Sequence, residues 1–170
     1  MLHALILAAA ALWVPTADSP VSAETLSLFR TLKVQIALPR YMPPGFQVAA
    51  YSIEPGHPPG HRGIGVPAYH ILYRRGVHEC LAFDSGWGGL GGADVSQYKT
   101  LGIRSKFLGN PPLQYNATSF FILGVDERAT DGRWYDISHT GSWPRATVKG
   151  CTKSISPQEA RRVAESIQPI

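Results

Sequence analysis

Apolar and polar residues alternate along several short segments of the chain, which is the pattern of β-strands with one buried face. The clearest segment is residues 46–54, and residues 68–75 and 77–83 flank Gly76 as the two arms of a hairpin. Further strands are predicted at two weak runs within residues 97–108 and at residues 34–38, 119–125, 134–138 and 146–155. Residues 110–112 and 127–133 predict turns between them.

Helical patterns are found at residues 24–32 and at the C-terminus. Ser156 is placed as an N-cap, Pro157 as the first helical residue and Glu159 as the partner that completes a capping box. The apolar residues that follow recur at helical spacing: Ala160, Val163, Ala164 and Ile167. Strands that precede a final helix predict an α+β fold, with a curved antiparallel sheet, a meander, covered by the C-terminal helix.

The first residues have the features of a secretory signal peptide. Residues 2–14 are uncharged and almost all apolar, Pro15 follows, and the small residues Val21 and Ala23 predict cleavage after Ala23. Residues 1–23 would be removed, leaving one domain at residues 24–170. The apolar run is shorter than the roughly 20 residues that span a bilayer, so no stable membrane span is expected after processing. Because the first residues lack Lys and Arg, a misplaced start and a buried N-terminal helix are the alternative interpretations.

Composition narrows the class of protein. The chain has 16 Lys and Arg against 12 Asp and Glu, a net charge of +4. Loss of residues 1–23 would remove Asp18 and leave the mature chain at +5. Because the basic residues are dispersed, with doublets only at Arg74-Arg75 and Arg161-Arg162, no nucleic-acid partner is predicted. The 17 Gly and 14 Pro indicate a loop-rich β domain.

The chain has two cysteines, Cys80 and Cys151. In an exported protein an even pair predicts a disulfide, here between two predicted strands. A zinc site and a reactive thiol are the alternatives, and His78-Glu79-Cys80 would suit a thiol enzyme only if Cys80 stayed reduced.

Three segments together resemble a family of exported bacterial domains of unknown function. Residues 38–46 (LPRYMPPGF) resemble its "LP-x-YLPPGF" opening, although Met42 replaces the usual aliphatic residue. Residues 69–84 resemble its central hairpin in cyanobacterial members, and residues 154–167 (SISPQEARRVAESI) resemble its closing helix. Similar domains occur in extracytoplasmic lipoproteins and anti-sigma factor ectodomains. The resemblance implies a curved antiparallel sheet with a C-terminal helix, fits a variant with the Cys80–Cys151 disulfide, and implies no catalytic residues.

No motif in the sequence predicts a cofactor, a metal site or a catalytic residue. Gly86-x-Gly88-x-x-Gly91 has the spacing of a dinucleotide fingerprint, but no helix follows that could hold a pyrophosphate. The histidines at 57 and 61, with His70 or His78, lack thiol or acidic partners at a fixed spacing, and surface histidines are the favoured interpretation. The remaining polar candidates are scattered and include no Gly-x-Ser-x-Gly elbow: Asp84, Ser85, Asp136, Ser138 and His139.

The glycine-rich segment at residues 85–93 is the predicted binding surface. Trp87, flanked by Gly88 and Gly89, is a candidate anchor for a ligand or partner, although Trp87 could instead pack over the sheet edge. The sequence therefore predicts a secreted or periplasmic, non-enzymatic binding module for an envelope protein, a glycan or a small ligand. The alternative is a secreted hydrolase with an unrecognised site.

Overall fold

The structure, a computed structural model, describes residues 21–32, 34–54, 56, 67–87, 96–117, 119–122 and 125–170. Within these residues the chain forms, in order, α1 (Ala23–Arg30), β1 (Ala37–Pro39), β2 (Gln47–Glu54), β3 (Ala68–Arg75), β4 (Glu79–Trp87), β5 (Lys99–Gly102), β6 (Pro112–Tyr115), β7 (Ser119–Ile122), β8 (Arg133–Ser138), α2 (Pro157–Glu165) and β9 (Ile167–Pro169).

Seven strands form one antiparallel sheet in the order β2-β3-β4-β8-β7-β6-β5. The predicted α+β class, with an antiparallel sheet and a C-terminal helix, is confirmed. The sheet consists of two meanders, β2-β3-β4 and β5-β6-β7-β8, which join where β4 pairs with β8. This junction places β4 and β8, which consist mostly of buried residues, in the interior of the sheet.

The predicted hairpin is the pair β3 and β4. Gly76 adopts a φ of +62° in the connecting turn, a conformation that costs glycine little. The register pairs Tyr69 with Ser85 and Arg75 with Glu79. β4 continues beyond the predicted end at residue 83 to Trp87, and its last residues pair with β8.

The two faces of the sheet differ in character. The core face packs against both helices, and its buried side chains include Tyr69, Ile71, Tyr73, Leu81, Phe83, Tyr135 and Ile137. α1 contributes Phe29 to this cluster, and α2 contributes Ala160, Val163 and Ala164. The predicted capping box of α2 is present, because the Glu159 backbone N–H donates to the Ser156 hydroxyl and the Ser156 N–H donates to the Glu159 carboxylate.

The predicted strand at residues 146–155 is wrong. Residues 145–150 form consecutive turns, in which the Thr147 and Val148 backbone N–H groups donate to the Pro144 carbonyl. Gly150 has a φ of +89°, outside the extended region of a regular strand, and among the described residues of this segment only Lys153 makes an isolated bridge, to Glu79. Residues 140–153, here called the cover segment, lie over the face of the sheet opposite the core face.

The Cys80–Cys151 disulfide is present and joins β4 to the cover segment. Neither cysteine is therefore a free thiol, and the alternative of a thiol enzyme at Cys80 is wrong. Around the bridge, Leu72, Cys80 and Ala82 pack with Trp143 and with Val148. The cover segment is thus held to the sheet by a covalent bond and an apolar cluster.

The start of α1 bears on the predicted cleavage site. Ser22 is the N-cap and accepts a hydrogen bond from the Thr25 backbone N–H, and Val21 is only 3% exposed in the core. Cleavage after Ala23 would remove both residues, so the position of the cut stays a prediction. Residues 1–20 lie outside the described residues. Among the described helices, none is long and apolar enough to cross a membrane.

Candidate ligand-binding cleft

The face of the sheet opposite the core face, here called the polar face, carries a row of polar side chains across the central strands. Directly opposed pairs link Ser52 to His70, His70 to Asp84 and Asp84 to Asp136. Opposed residues on neighbouring strands have their side chains on the same face, so this register brings a histidine and two carboxylates side by side. Two charged residues in the buried centre of a sheet are costly unless they are paired.

Asp84 is the member of the row with a charged partner. Its carboxylate, 3% exposed, accepts a hydrogen bond of 2.8 Å from the Nδ1–H of His70. The Nε2 of His70 lies 3.6 Å from the Glu54 carboxylate. The hydrogen bond to Asp84 raises the pKa of His70, although burial of the imidazole opposes this effect. His70 therefore interacts with two carboxylates at once.

Asp136 has no comparable partner. It is 9% exposed, and its Oδ1 has no hydrogen-bond partner in the described part of the chain. Burial raises the pKa of Asp136 to about 7, the Asp84 charge adds to this effect, and a hydrogen bond from the Ile137 backbone partly opposes it. Asp136 thus keeps its proton up to about neutral pH.

A cleft of about 300 Å³ opens beside these carboxyl groups. Its lining residues come from β4, β7, β8 and the beginning of the cover segment: Asp84, Ser119, Trp134, Asp136, Ser138, Thr140, Gly141 and Ser142. Besides Asp136 Oδ1, two buried polar atoms of the lining have no partner among the described residues, Trp134 Nε1 and Ser138 Oγ. The lining residues therefore carry one donor and two oxygen atoms that are buried and have no hydrogen-bond partner among the described residues.

Two glycines shape the cleft. Trp134 packs across Gly86, where an added Cβ would lie 2.6 Å from Cζ2 of the indole. Gly141 has a φ of +55°, and an added Cβ would contact Asp84 Oδ2 and lie 2.7 Å from Ala82 Cβ. The wall formed by the cover segment can approach the Asp84 carboxylate this closely only because residue 141 has no side chain.

The Gly141→Ala variant should displace this wall. A left-handed backbone conformation and a clash with the sheet together are expected to lower the free energy of unfolding by about 2 kcal/mol, measured by urea denaturation. Gly102→Ala is the matched control, because a Cβ at residue 102 meets nothing within 4 Å. Equal stability of the two variants would contradict the close packing at Gly141.

A second hollow, of about 440 Å³, lies between β5, β6 and the start of α2. Gln97, Lys99 and Asn116 contribute polar groups, and Tyr115 and Phe120 contribute apolar surface. No carboxylate lies among the described residues that line it. The smaller cleft is the better candidate because its polar groups are buried and unpaired.

The predicted binding residues are only partly covered by the structure. Trp87 ends β4 opposite Arg133 of β8, whereas Gly88 and Gly89 lie outside the described residues. Their role in binding stays a prediction. The register instead brings together Asp84, Asp136 and Ser138, which the sequence left scattered. The available signal was an aspartate within each of two segments that also contain several large apolar residues, ECLAFDSGW and RWYDIS.

The histidines do not form a metal centre within the described residues. His70 pairs with Asp84, and the His78 ring lies 3.2 Å from the Gly150 carbonyl oxygen. The histidines at positions 57 and 61 lie outside the described residues. In the part of the chain that the structure describes, no group of three or more His, Cys, Asp or Glu is arranged to hold a metal ion.

Comparison of the chain with protein-family models, with curated proteins and with solved structures finds no match. The resemblance to exported bacterial domains therefore stays an expectation from the sequence. The function has to be argued from the cleft itself.

Proposed function

We propose that this protein is a non-enzymatic binding module of the cell envelope that holds a small polar ligand in the cleft beside Asp84 and Asp136. The observation that carries the proposal is that three residues lining one cleft, Trp134, Asp136 and Ser138, each have a buried polar atom without a hydrogen-bond partner among the described residues. Buried polar groups are normally hydrogen-bonded, so groups without partners at an open cleft are groups that a ligand can satisfy. The volume of the cleft suits a molecule of about monosaccharide size.

The proposed location is secreted or periplasmic. The signal-like residues 1–23 support it, and the Cys80–Cys151 disulfide is compatible with it, because disulfides persist in oxidising compartments. Within an envelope, a small ligand or the end of a glycan chain could enter the cleft. The third expected partner is an envelope protein. Such a protein would have to insert one polar side chain into the cleft.

Ligand capture tests the proposal. The protein would be dialysed to equilibrium against the small-molecule and oligosaccharide fraction of an envelope extract, and retained compounds would be identified by mass spectrometry. Ser138→Ala and Trp134→Phe each remove one unpaired polar atom with little change of shape. Thr100→Ala is the control, because Thr100 is an exposed residue of the edge strand β5, outside the cleft lining.

The wild type and Thr100→Ala are expected to retain the same compounds, and the two cleft variants to retain them at least about tenfold less, the effect of losing one ligand hydrogen bond. Circular dichroism would confirm that the cleft variants are folded. Identical retention by all four proteins, or no retained compound with any of them, would contradict binding in the cleft.

A hydrolase is the second candidate function, and one observation favours it. Asp84 and Asp136 are opposed, and the pKa of Asp136, about 7, would let it act as a general acid near neutral pH. Screening the purified protein for glycosidase, esterase and peptidase activity separates the two functions. The binding module should show no turnover, whereas turnover that Asp136→Asn abolishes would replace it with an enzyme.

A further inference from the structure

The charges around the cleft are unbalanced. Two of the lining residues are aspartates, and none is Lys or Arg. His70 donates a hydrogen bond to Asp84, and its Nε2 lies 3.6 Å from the Glu54 carboxylate. His70 thus lies between two carboxylates. Asp136, on the other side of Asp84, has no basic partner in the part of the chain that the structure describes, and the charged group that acts on it is Asp84.

Apart from the charges, the lining of the cleft contains oxygen atoms that can accept hydrogen bonds from a ligand with several N–H groups. Ser138 is 8% exposed and its Oγ is unpaired, and it lies two residues beyond Asp136 on the same face of β8. The Asp136 Oδ1 atom is unpaired as well. The aromatic ring of Trp134 forms another part of the lining, and the face of an indole attracts cations. These groups suit a compact cation with several N–H donors.

We propose that the ligand bound in this cleft carries a primary ammonium group, which donates hydrogen bonds to Asp136 and Ser138 beside Trp134. This inference rests on the proposed function and specifies its ligand class. An ammonium group has three donors and one positive charge, so it satisfies both unpaired oxygens and supplies the counter-charge that Asp136 lacks.

Other ligand classes fit less well. A neutral polyol would hydrogen-bond to the same oxygens but would supply no counter-charge to the ionised Asp136 that is present above about pH 7, and an anion would meet two carboxyl groups. Calcium ions take six to eight oxygen ligands. The described residues contain no group of three or more His, Cys, Asp or Glu that could hold a metal ion.

An ammonium group and a proton compete for Asp136. Asp136 faces Asp84 on β4, with His70 and Glu54 farther along β3 and β2, while Phe121 opposes it on β7. An ammonium group binds the ionised carboxylate and displaces the proton. Binding should therefore weaken about tenfold as the pH falls from about 8 to about 6, through the pKa of Asp136 near 7.

A matched pair of probes tests the charge directly. Trans-4-aminocyclohexanol and trans-1,4-cyclohexanediol share a ring of sugar size and differ by one ammonium in place of one hydroxyl. Each would be titrated into the ¹⁵N-labelled protein, with the Trp134 indole N–H and the Ser138 amide as reporters. Calcium chloride forms a third arm, and Asp136→Asn and the Thr100→Ala control are titrated in parallel.

The amino probe is expected to bind at least about tenfold more tightly than the diol at pH 8, a gain that Asp136→Asn abolishes and Thr100→Ala keeps. Equal affinity of the two probes would overturn the ammonium class while leaving the binding function intact. Saturation of the same resonances by calcium, or no response to the amino probe, would also overturn it. The binding function itself fails if the Ser138→Ala and Trp134→Phe variants retain extract compounds as the wild type does, or if none of the proteins retains any compound.

Discussion

Replacing both Cys80 and Cys151 with alanine is expected to lower the free energy of unfolding by about 4 kcal/mol. The bridge joins residues 71 positions apart, and closing a loop of that length removes roughly this much chain entropy from the unfolded state. Urea denaturation of the double variant against the wild type would measure the loss. A loss below about 1 kcal/mol would contradict a main stabilising role for the Cys80–Cys151 disulfide.

The same double variant is expected to loosen the cleft without unfolding the sheet. The cover segment would keep its polar anchors: the Arg74 guanidinium donates to the Thr147 carbonyl, and the Thr152 backbone N–H donates to the His78 carbonyl. Hydrogen exchange should therefore accelerate in residues 140–153 and stay slow in β3, whose backbone pairs on both sides. Faster exchange in β3 as well would indicate global rather than local loosening.

The second large effect is a loss of stability as the pH rises. The pKa of Asp136 is about 7 in the folded state against 3.8 in the unfolded state. Between these values the folded state keeps a proton that the unfolded state has released, so stability falls with rising pH and is lowest above about pH 7. The decline from pH 4 to pH 8 is expected to be roughly 2 to 4 kcal/mol from this residue.

Asp136→Asn should remove most of that decline, because an amide does not ionise, and should raise the melting temperature at pH 8. His70 acts in the same direction at higher pH: its pKa is raised in the folded state, so its contribution is present below about pH 6.5 and is lost as the pH rises through the folded value. His70→Gln should therefore keep the decline between pH 4 and 7. If the wild type is as stable at pH 8 as at pH 5, the raised pKa values of Asp136 and His70 are contradicted.

The elements that the sequence predicted correctly depend on local signals. The hairpin around Gly76 and the capping box at Ser156 and Glu159 are specified by residues close together in the chain. The strand predicted at residues 146–155 failed because its apolar residues, Val148 and Cys151, pack on the polar face through the cover segment rather than through a ladder. Apolar content alone does not distinguish these two ways of burying a segment.

The pairings missed by sequence reasoning are long-range. β1 pairs with β9, so Leu38 lies opposite Gln168 although the two residues are near opposite ends of the described chain. Arg133 was expected in a turn, yet it begins β8 fully buried, with its Nη1 donating to the Pro67 carbonyl. No local pattern encodes contacts at such separations.

The cleft was missed for the same reason. Asp84 and Asp136 are about fifty residues apart, and only the pairing of β4 with β8 makes them neighbours. The sequence did predict the disulfide that holds the cleft's outer wall, because two cysteines allow one intramolecular pairing. It could not show that this bridge encloses a polar site.

The most direct measurement is a carboxyl-carbon NMR titration of Asp136 in the free protein. In the free protein, burial and the neighbouring Asp84 disfavour the ionised form of Asp136, and its Oδ1 has no hydrogen-bond partner among the described residues. We therefore expect a midpoint near pH 7 that moves down when trans-4-aminocyclohexanol is added. A midpoint near the ordinary value of 3.8 in the free protein would show that Asp136 is already solvated or paired, and would contradict the account.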